Sequence, residues 1–229
     1  MKRLIGTLAL AASLLTACTK GYADSPEMPS PDEYNYDGDR ANDGDRAKVC
    51  TAIVTVKQDA SGRIFFQLDD DTRLYPVNYP ESFTRQCRII CGLSWEEGTS
   101  VCTLQWMDYL QEGAVQNAPV EAGDGVDILD DWMTTVTDGY LTLHYSTYWG
   151  GNVPHTLLLV SGENPDDPYE LRLVHLRNGD EAQSRADALI YFDLASLPPT
   201  GDSGQRLTLN WTDSAGNQVS KQYLYRSRQ

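Results

Sequence analysis

An all-β fold is predicted by three features of this sequence. Tyrosine, valine and threonine are plentiful, with 13 tyrosines in 229 residues. No stretch sustains the 3.6-residue apolar period of a long helix, and Gly, Pro, Asn and Asp break the pattern every ten residues or so. The strands fall into two groups. Residues 48–125 suit a small OB-like five-stranded barrel, and residues 126–229 an antiparallel β-sandwich.

The chain opens on a segment of a different kind. Lys2-Arg3 precede a mostly apolar run over residues 4–15, and Leu15-Thr16-Ala17-Cys18 forms a lipobox. The run is shorter than the ~18 residues a permanent spanning helix needs. Residues 1–17 are therefore expected to leave as a lipoprotein signal peptide, with Cys18 lipidated and holding the protein on a membrane. The expected location is the cell envelope, at the outer membrane. Loss of Lys2 and Arg3 takes the net charge from −15 to −17. A domain this acidic repels phosphate backbones, which excludes nucleic acid as a partner.

Residues 18–47 are polar, acidic and nearly free of aliphatic side chains, with Pro26, Pro29 and Pro31 among them. They read as a disordered tether. The Asp-Gly repeats resemble a calcium loop, but the acid required twelve positions in is missing. Counting from Asp39 it falls on Cys50, and from Glu33 on Gly44.

Each barrel strand has its own signal. Residues 49–58 are rich in β-branched residues with apolar groups on both faces, as in a central strand. Ala60-Ser61-Gly62 turns the chain into residues 63–69, where Ile64, Phe66 and Leu68 share a face. Asp70-Asp71 turns it again into residues 72–77. The Asp69-Asp70-Asp71 run is read as this turn rather than as a calcium cluster. Residues 83–93 and 101–110 form a hairpin about Glu96-Glu97-Gly98. Five strands in this order give an OB-like barrel, with the first strand beside the fourth and the fourth beside the fifth.

Four cysteines remain after Cys18: Cys50, Cys87, Cys91 and Cys102. An even number in an exported chain points to disulfides. Cys87 and Cys91 lie four residues apart on one strand face, about 13 Å, beyond the ~4.4–6.8 Å a bridge tolerates between Cα atoms. The hairpin sets Cys91 against Cys102, and the neighbouring first strand then gives Cys50 to Cys87. A zinc site is the rival, but C-x3-C-x10-C is not a finger or ribbon spacing.

Residues 111–125, with Gly113, Pro119 and Gly123-Asp124-Gly125, read as a connector. Beyond them, residues 140–149 alternate, with Leu141, Leu143, Tyr145 and Trp149 facing in. Residues 154–160, 169–177, 188–194, 206–212 and 219–225 complete the second unit, and Ser214-Ala215-Gly216-Asn217 closes the last hairpin.

These residues carry a family resemblance. The lipobox, the acidic tether, Phe65-Phe66-Gln67-Leu68-Asp69-Asp70-Asp71-Thr72-Arg73-Leu74-Tyr75-Pro76, Gly150-Gly151-Asn152-Val153-Pro154-His155 and Ile190-Tyr191-Phe192-Asp193-Leu194-Ala195-Ser196-Leu197 resemble the NigD-like lipoproteins of Bacteroides-type bacteria. The likeness spans nearly the whole mature chain. It implies an N-terminal OB-like domain and a C-terminal β-sandwich. The family name comes from a bacteriocin gene cluster, which implies an immunity role. None of the matching segments is catalytic, and the four extra cysteines are not part of the pattern.

Little in the sequence nominates chemistry. There is no G-x-S-x-G elbow, and no spacing selects a pair of carboxylates for glycoside hydrolysis. His144, His155 and His175 are read as structural, because a hairpin over Gly150-Gly151 does not set His144 opposite His155. No cofactor and no metal are expected. The one surface lead is aromatic: Tyr145, Tyr148 and Trp149 near a glycine-rich tip could stack against a sugar or a protein. The expectation is a non-catalytic envelope lipoprotein that binds or scaffolds a glycan or another envelope protein. The alternative is immunity to a bacteriocin or similar toxin through protein–protein binding.

Overall fold

The computed structural model describes residues 48–96, 98–121, 123–151 and 153–228, so the leader, Cys18 and the tether lie outside the described residues. The first five strands are β1 (Lys48–Gln58), β2 (Ile64–Gln67), β3 (Arg73–Pro76), β4 (Cys87–Trp95) and β5 (Val101–Tyr109). They close into a barrel in the order β1-β2-β3-β5-β4. Neighbours are antiparallel except β3 and β5, which run parallel. This is the OB-like arrangement. Alternation fills the interior with Ala52, Val54 and Val56 from β1, Ile64 and Phe66 from β2, Leu74 from β3, and Ile89 and Leu93 from β4.

The acidic turns hold as turns. Asp59 Oδ1 accepts the backbone N–H groups of Ser61 and Arg63, and Gly62 sits at φ +82. Asp70 accepts the Thr72 N–H, while Asp71 takes φ +67.

The two disulfides drawn from the sequence do not fit the strand register. Cys91 faces Met107, and Cys102 faces Trp95. The β4–β5 register is centred later than the expected tip, with Trp95 opposite Cys102, and it shifts again between Gly92 and Leu93. That slide separates Cys91 from Cys102. On the other side of β4, Cys50 faces Leu93 and Cys87 faces Val56. Six residues along a ladder is about 20 Å, so Cys50 and Cys87 are also apart. All four thiols are free and belong to the barrel's inner cluster or its edge. Burial pushes every one of them up, Cys102 to about 11.

The second unit contains β6 (Gln111–Gln116), β7 (Asp127–Ile128), β8 (Thr135–Thr137), β9 (Tyr140–Trp149), β10 (Thr156–Val160), β11 (Glu170–Leu176), β12 (Ser184–Asp193), β13 (Gln205–Thr212) and β14 (Gln218–Tyr225). Their order is β14-β13-β11-β10-β6-β12-β9-β7, with β8 also beside β9. Both halves of this sheet contribute to one core, which includes Leu143 and Tyr145 of β9, Leu159 of β10, Phe192 of β12 and Trp211 of β13.

Two expectations change here. The supposed connector at residues 111–125 begins as β6, which runs parallel to both β10 and β12. The barrel therefore ends with β5, and the second unit starts at Gln111 rather than at Val126. Gly113 suggested a loop, yet it marks a close approach, since a Cβ there would lie 2.2 Å from the Phe192 ring. The second unit is also not purely antiparallel, because β11 pairs parallel with β13 as well.

The outer face of β1 and β4 packs on the second unit. Ile53, Ile90, Leu110, Met133, Tyr140, Leu189 and Tyr191 form the shared apolar cluster. Polar groups surround it. Arg88 Nη2 donates to Asp69 Oδ1 at 2.9 Å and Nη1 to Thr55 Oγ1 at 3.1 Å. Lys57 meets Asp138 at 2.5 Å, and Gln86 donates to the Tyr140 hydroxyl at 2.8 Å.

Candidate binding surface

The aromatic tip expected from the sequence is not a platform. Tyr145 is 1% exposed and part of the core. The Trp149 indole N–H donates to Ala186 O at 3.2 Å, and its ring stacks on His155 with centroids 3.9 Å apart. Only Tyr148 faces solvent. Inward alternation had already placed Tyr145 and Trp149 on the core side, and packing follows that alternation.

The histidines are internal. His144 Nδ1 lies 2.6 Å from Asp131 Oδ2. His175 Nδ1 is 3.1 Å from Gly125 O, its Nε2 is 2.9 Å from His155 Nδ1, and His155 Nε2 is 3.2 Å from Asp180 Oδ2. A carbonyl can only accept, so His175 donates from Nδ1 and accepts at Nε2 from His155. The last contact then needs a proton shared between imidazole and carboxylate. Burial pushes both imidazoles below their usual range, while Asp180 pulls His155 back up. Every ring nitrogen of this pair has a partner inside the protein. Among the described residues no three His, Cys, Asp or Glu side chains are placed to hold a metal.

A cleft of ≈ 290 Å³ beside His175 is lined by Asp124, Arg172, Thr212 and Gln218 among others. Its charges are already matched. Arg172 pairs with Glu163 and donates to Val120 O, and Asp124 accepts the backbone N–H and Nε of Arg177.

The outer wall of the barrel is different. Ile64, Phe66 and Leu74 point inward, which turns Arg63, Phe65, Arg73 and Tyr75 outward. Phe65 and Tyr75 have ring centroids 6.0 Å apart. The Arg63 guanidinium carbon lies 4.2 Å from the Tyr75 centroid, and that of Arg73 lies 5.1 Å from the Phe65 centroid. Among the described residues neither guanidinium is in an ion pair.

The wall continues onto β5. Tyr75 pairs with Val101, and the chain after β3 follows β5, with Val77 N–H bonded to Cys102 O. Asn78 then clasps the Leu104 backbone, donating to its oxygen at 2.8 Å and accepting from its nitrogen at 2.9 Å. Val77 is 67% exposed, and Tyr79, Val101, Trp106 and Tyr109 are each at least 45% exposed. These five are most of the large apolar side chains left in solvent among the described residues, so the barrel rather than the sandwich carries the sticky surface.

Trp106 was not legible as part of this wall. Alternation from Cys102 and Leu104 assigns it to the interior. However, Leu93 faces Leu104 while Gly92 faces Trp106, so Gln105 is an extra residue on β5. This bulge turns the indole outward. Gly92 makes room for it, since a Cβ there would lie 2.2 Å from the indole nitrogen. By contrast, the outward alternation of Arg63 with Phe65 and of Arg73 with Tyr75 was open to reading.

Comparison with known proteins adds the following. Residues 111–225 match the family model described as the NigD-like C-terminal beta sandwich domain, and the match begins at the first residue of β6. No curated protein matches the chain. A solved structure described as toxin-related, from Parabacteroides distasonis, is 24% identical with a TM-score of 0.64, covering 77% of this chain and 94% of that one. A NigD-like immunity protein from Bacteroides caccae is 18% identical with a TM-score of 0.56, covering 78% and 98%. A protein described as a lipoprotein, from Bacteroides fragilis, is 14% identical with a TM-score of 0.55, covering 80% and 100%. At these identities the likeness establishes the fold.

Proposed function

The chain belongs to the NigD-like family, and from that premise we propose that it is an envelope-anchored, non-catalytic binding protein. Its ligand, a glycan or another envelope protein, rests on the outer wall of the barrel. The observation that carries this reading is the exposure of Val77, Val101 and Trp106 along β5 and its parallel neighbour, with Tyr79 and Tyr109 exposed beside Phe83. Exposed aromatics on a rigid sheet offer a large contact area with little ordering entropy. The ring nitrogens of His155 and His175, partnered inside the protein, fit a structural role for both.

Envelope location is supported by the lipobox at Leu15-Thr16-Ala17-Cys18, and by the B. fragilis structure described as a lipoprotein. Cys18→Ala is expected to release the protein from membranes on fractionation. Unchanged sedimentation with the membrane would reject the anchor.

Glycan arrays and envelope pull-downs with the mature chain, set beside a Val77→Asp/Trp106→Ala form, test the wall. A ligand retained at full strength by the double variant would refute it. The immunity reading is favoured by one observation, the similar B. caccae structure named as an immunity protein. It requires a tight protein partner and no bound saccharide.

A further inference from the structure

Building on the reading of the barrel wall as a ligand surface, we infer that its β2–β3 face is a site for an acidic oligosaccharide, with carboxylate or sulfate groups held by Arg63 and Arg73. The two arginines flank a pair of aromatic rings, each guanidinium lying over a ring of the opposite strand. Cation–π contact positions both guanidinium groups, and a guanidinium can meet an oxyanion by a forked pair of bonds. Beside them, exposed Val101 and Val77 form an apolar floor, with the partly buried Tyr75 ring under Arg63 at its edge. A sugar ring with one C–H face and an acid at its rim matches that layout.

The chain carries −15 overall, and among the described residues Arg63, Arg73, Arg206 and Arg226 stand without an ion pair; of these four, Arg63 and Arg73 lie over aromatic rings. The nearby acids are oriented as turn clasps but keep their charge, and Asp59 lies close enough to interact with the Arg63 charge. Asp59 accepts Ser61 and the Arg63 backbone N–H, Asp70 accepts Thr72, and Asp71 accepts Gln67. The neighbouring Lys57 is taken by Asp138 and Gln67.

The surrounding negative field disfavours a dense polyanion such as nucleic acid, whose phosphates would need many cations at once. A sparsely charged saccharide needs only the local pair. Phe65 is buried beneath Arg73 and Tyr75, which leaves no open ladder of rings for bases. The β2–β3 face is also where OB folds commonly take oligosaccharides, an analogy from fold that agrees with the residues.

The test is calorimetric titration of the full mature chain with four probes: a κ-carrageenan hexasaccharide (sulfate only, one per disaccharide), a hyaluronan hexasaccharide (carboxylate only, one per disaccharide), neutral maltohexaose and a single-stranded oligonucleotide. At least one acidic hexamer should bind ten-fold or more tightly than maltohexaose, and more weakly as salt rises. Sulfate and carboxylate arms separate the two sources of charge. Arg63→Gln/Arg73→Gln should remove at least ten-fold of that affinity with an unchanged melting temperature. Arg63→Lys/Arg73→Lys should fall between, because it keeps charge but loses the fork. Equal binding of neutral and acidic hexamers that Trp106→Ala abolishes would keep the wall and overturn this inference. So would acidic binding indifferent to the Gln variant, oligonucleotide binding of equal strength, or no saccharide bound at millimolar concentration.

Discussion

Replacing Arg88 by methionine probes the junction between the two units. The Arg88 side chain is 0% exposed, and its partner Asp69 is 31% exposed. Methionine preserves much of the apolar stem but removes the ion pair and the bond to Thr55 Oγ1. A buried hydroxyl left unpaired costs roughly 1–3 kcal/mol, and breaking a fully buried pair costs about 3–5 kcal/mol. Two features soften the loss. Asp69 retains contact with water, and the Arg88 Nε has no partner among the described residues, so its desolvation is recovered. The net expectation is about 2 kcal/mol, or a melting temperature lower by about 4–8 °C for a domain of this size.

The pH dependence gives the sharper readout. Burial already pushes the Asp69 carboxyl up, against the pull of Arg88. A carboxyl raised on folding adds stability at low pH and loses it as pH climbs through its folded value. Removing Arg88 raises it further, so the deficit should shrink from pH 8 to pH 5. Urea unfolding at both values, with an unchanged m-value, measures it. A deficit below ~0.5 kcal/mol, or one that grows on acidification, would refute the reasoning.

Other perturbations bear on local features. Gly123→Ala would put a Cβ 2.2 Å from the His175 carbonyl oxygen, a backbone atom that cannot swing aside. It should destabilise by roughly 1–3 kcal/mol in chemical denaturation. Asp124 is held below the usual carboxylate range chiefly by the Arg177 backbone N–H, and Glu163 by the Arg172 guanidinium. Carboxyls lowered on folding support stability above an unfolded value of about 4 and lose it as pH falls further. Melts from pH 6 to pH 2.5 should therefore decline below about 4, less steeply in Arg172→Ala. Peptide mapping of purified protein without reduction should find neither Cys91–Cys102 nor Cys50–Cys87, and either bridge would contradict the register.

Much of the fold was written in alternation. The bounds of β9 follow directly from Leu141, Leu143 and Tyr145, and the acidic turns at Asp59 and Asp70 announce themselves by composition. The barrel's neighbours, first strand beside fourth and fourth beside fifth, followed from five short strands in meander-plus-return order, whereas the parallel β3–β5 pairing did not. What stayed hidden depended on long-range packing. Gln111–Gln116 has too little apolar content to read as a strand, and becomes one only between β10 and β12. The β4–β5 register is centred later than the expected tip and shifts again at Gln105, and those offsets decided the fate of the cysteines.

The binding surface was misplaced for a related reason. Tyr148 and Trp149 drew attention as aromatics at a glycine-rich tip, but Trp149 is consumed by His155 and Ala186. Trp106 gave no signal, because an extra residue at Gln105 reverses its face. Single-residue bulges leave no mark in composition. The arginine–aromatic faces of β2 and β3 are legible as alternation, but the acidic total of the chain masks them.

The claim that the barrel wall is occupied in the envelope can be measured with two tryptophans of similar exposure, Trp106 at 45% and Trp132 at 40%. Hydroxyl-radical footprinting would compare their oxidation in intact cells with that in the purified mature protein. Occupation of the wall predicts that Trp106 is protected in cells relative to Trp132, and that purification removes the difference. Equal oxidation of both in cells, or protection of Trp132 alone, would contradict it.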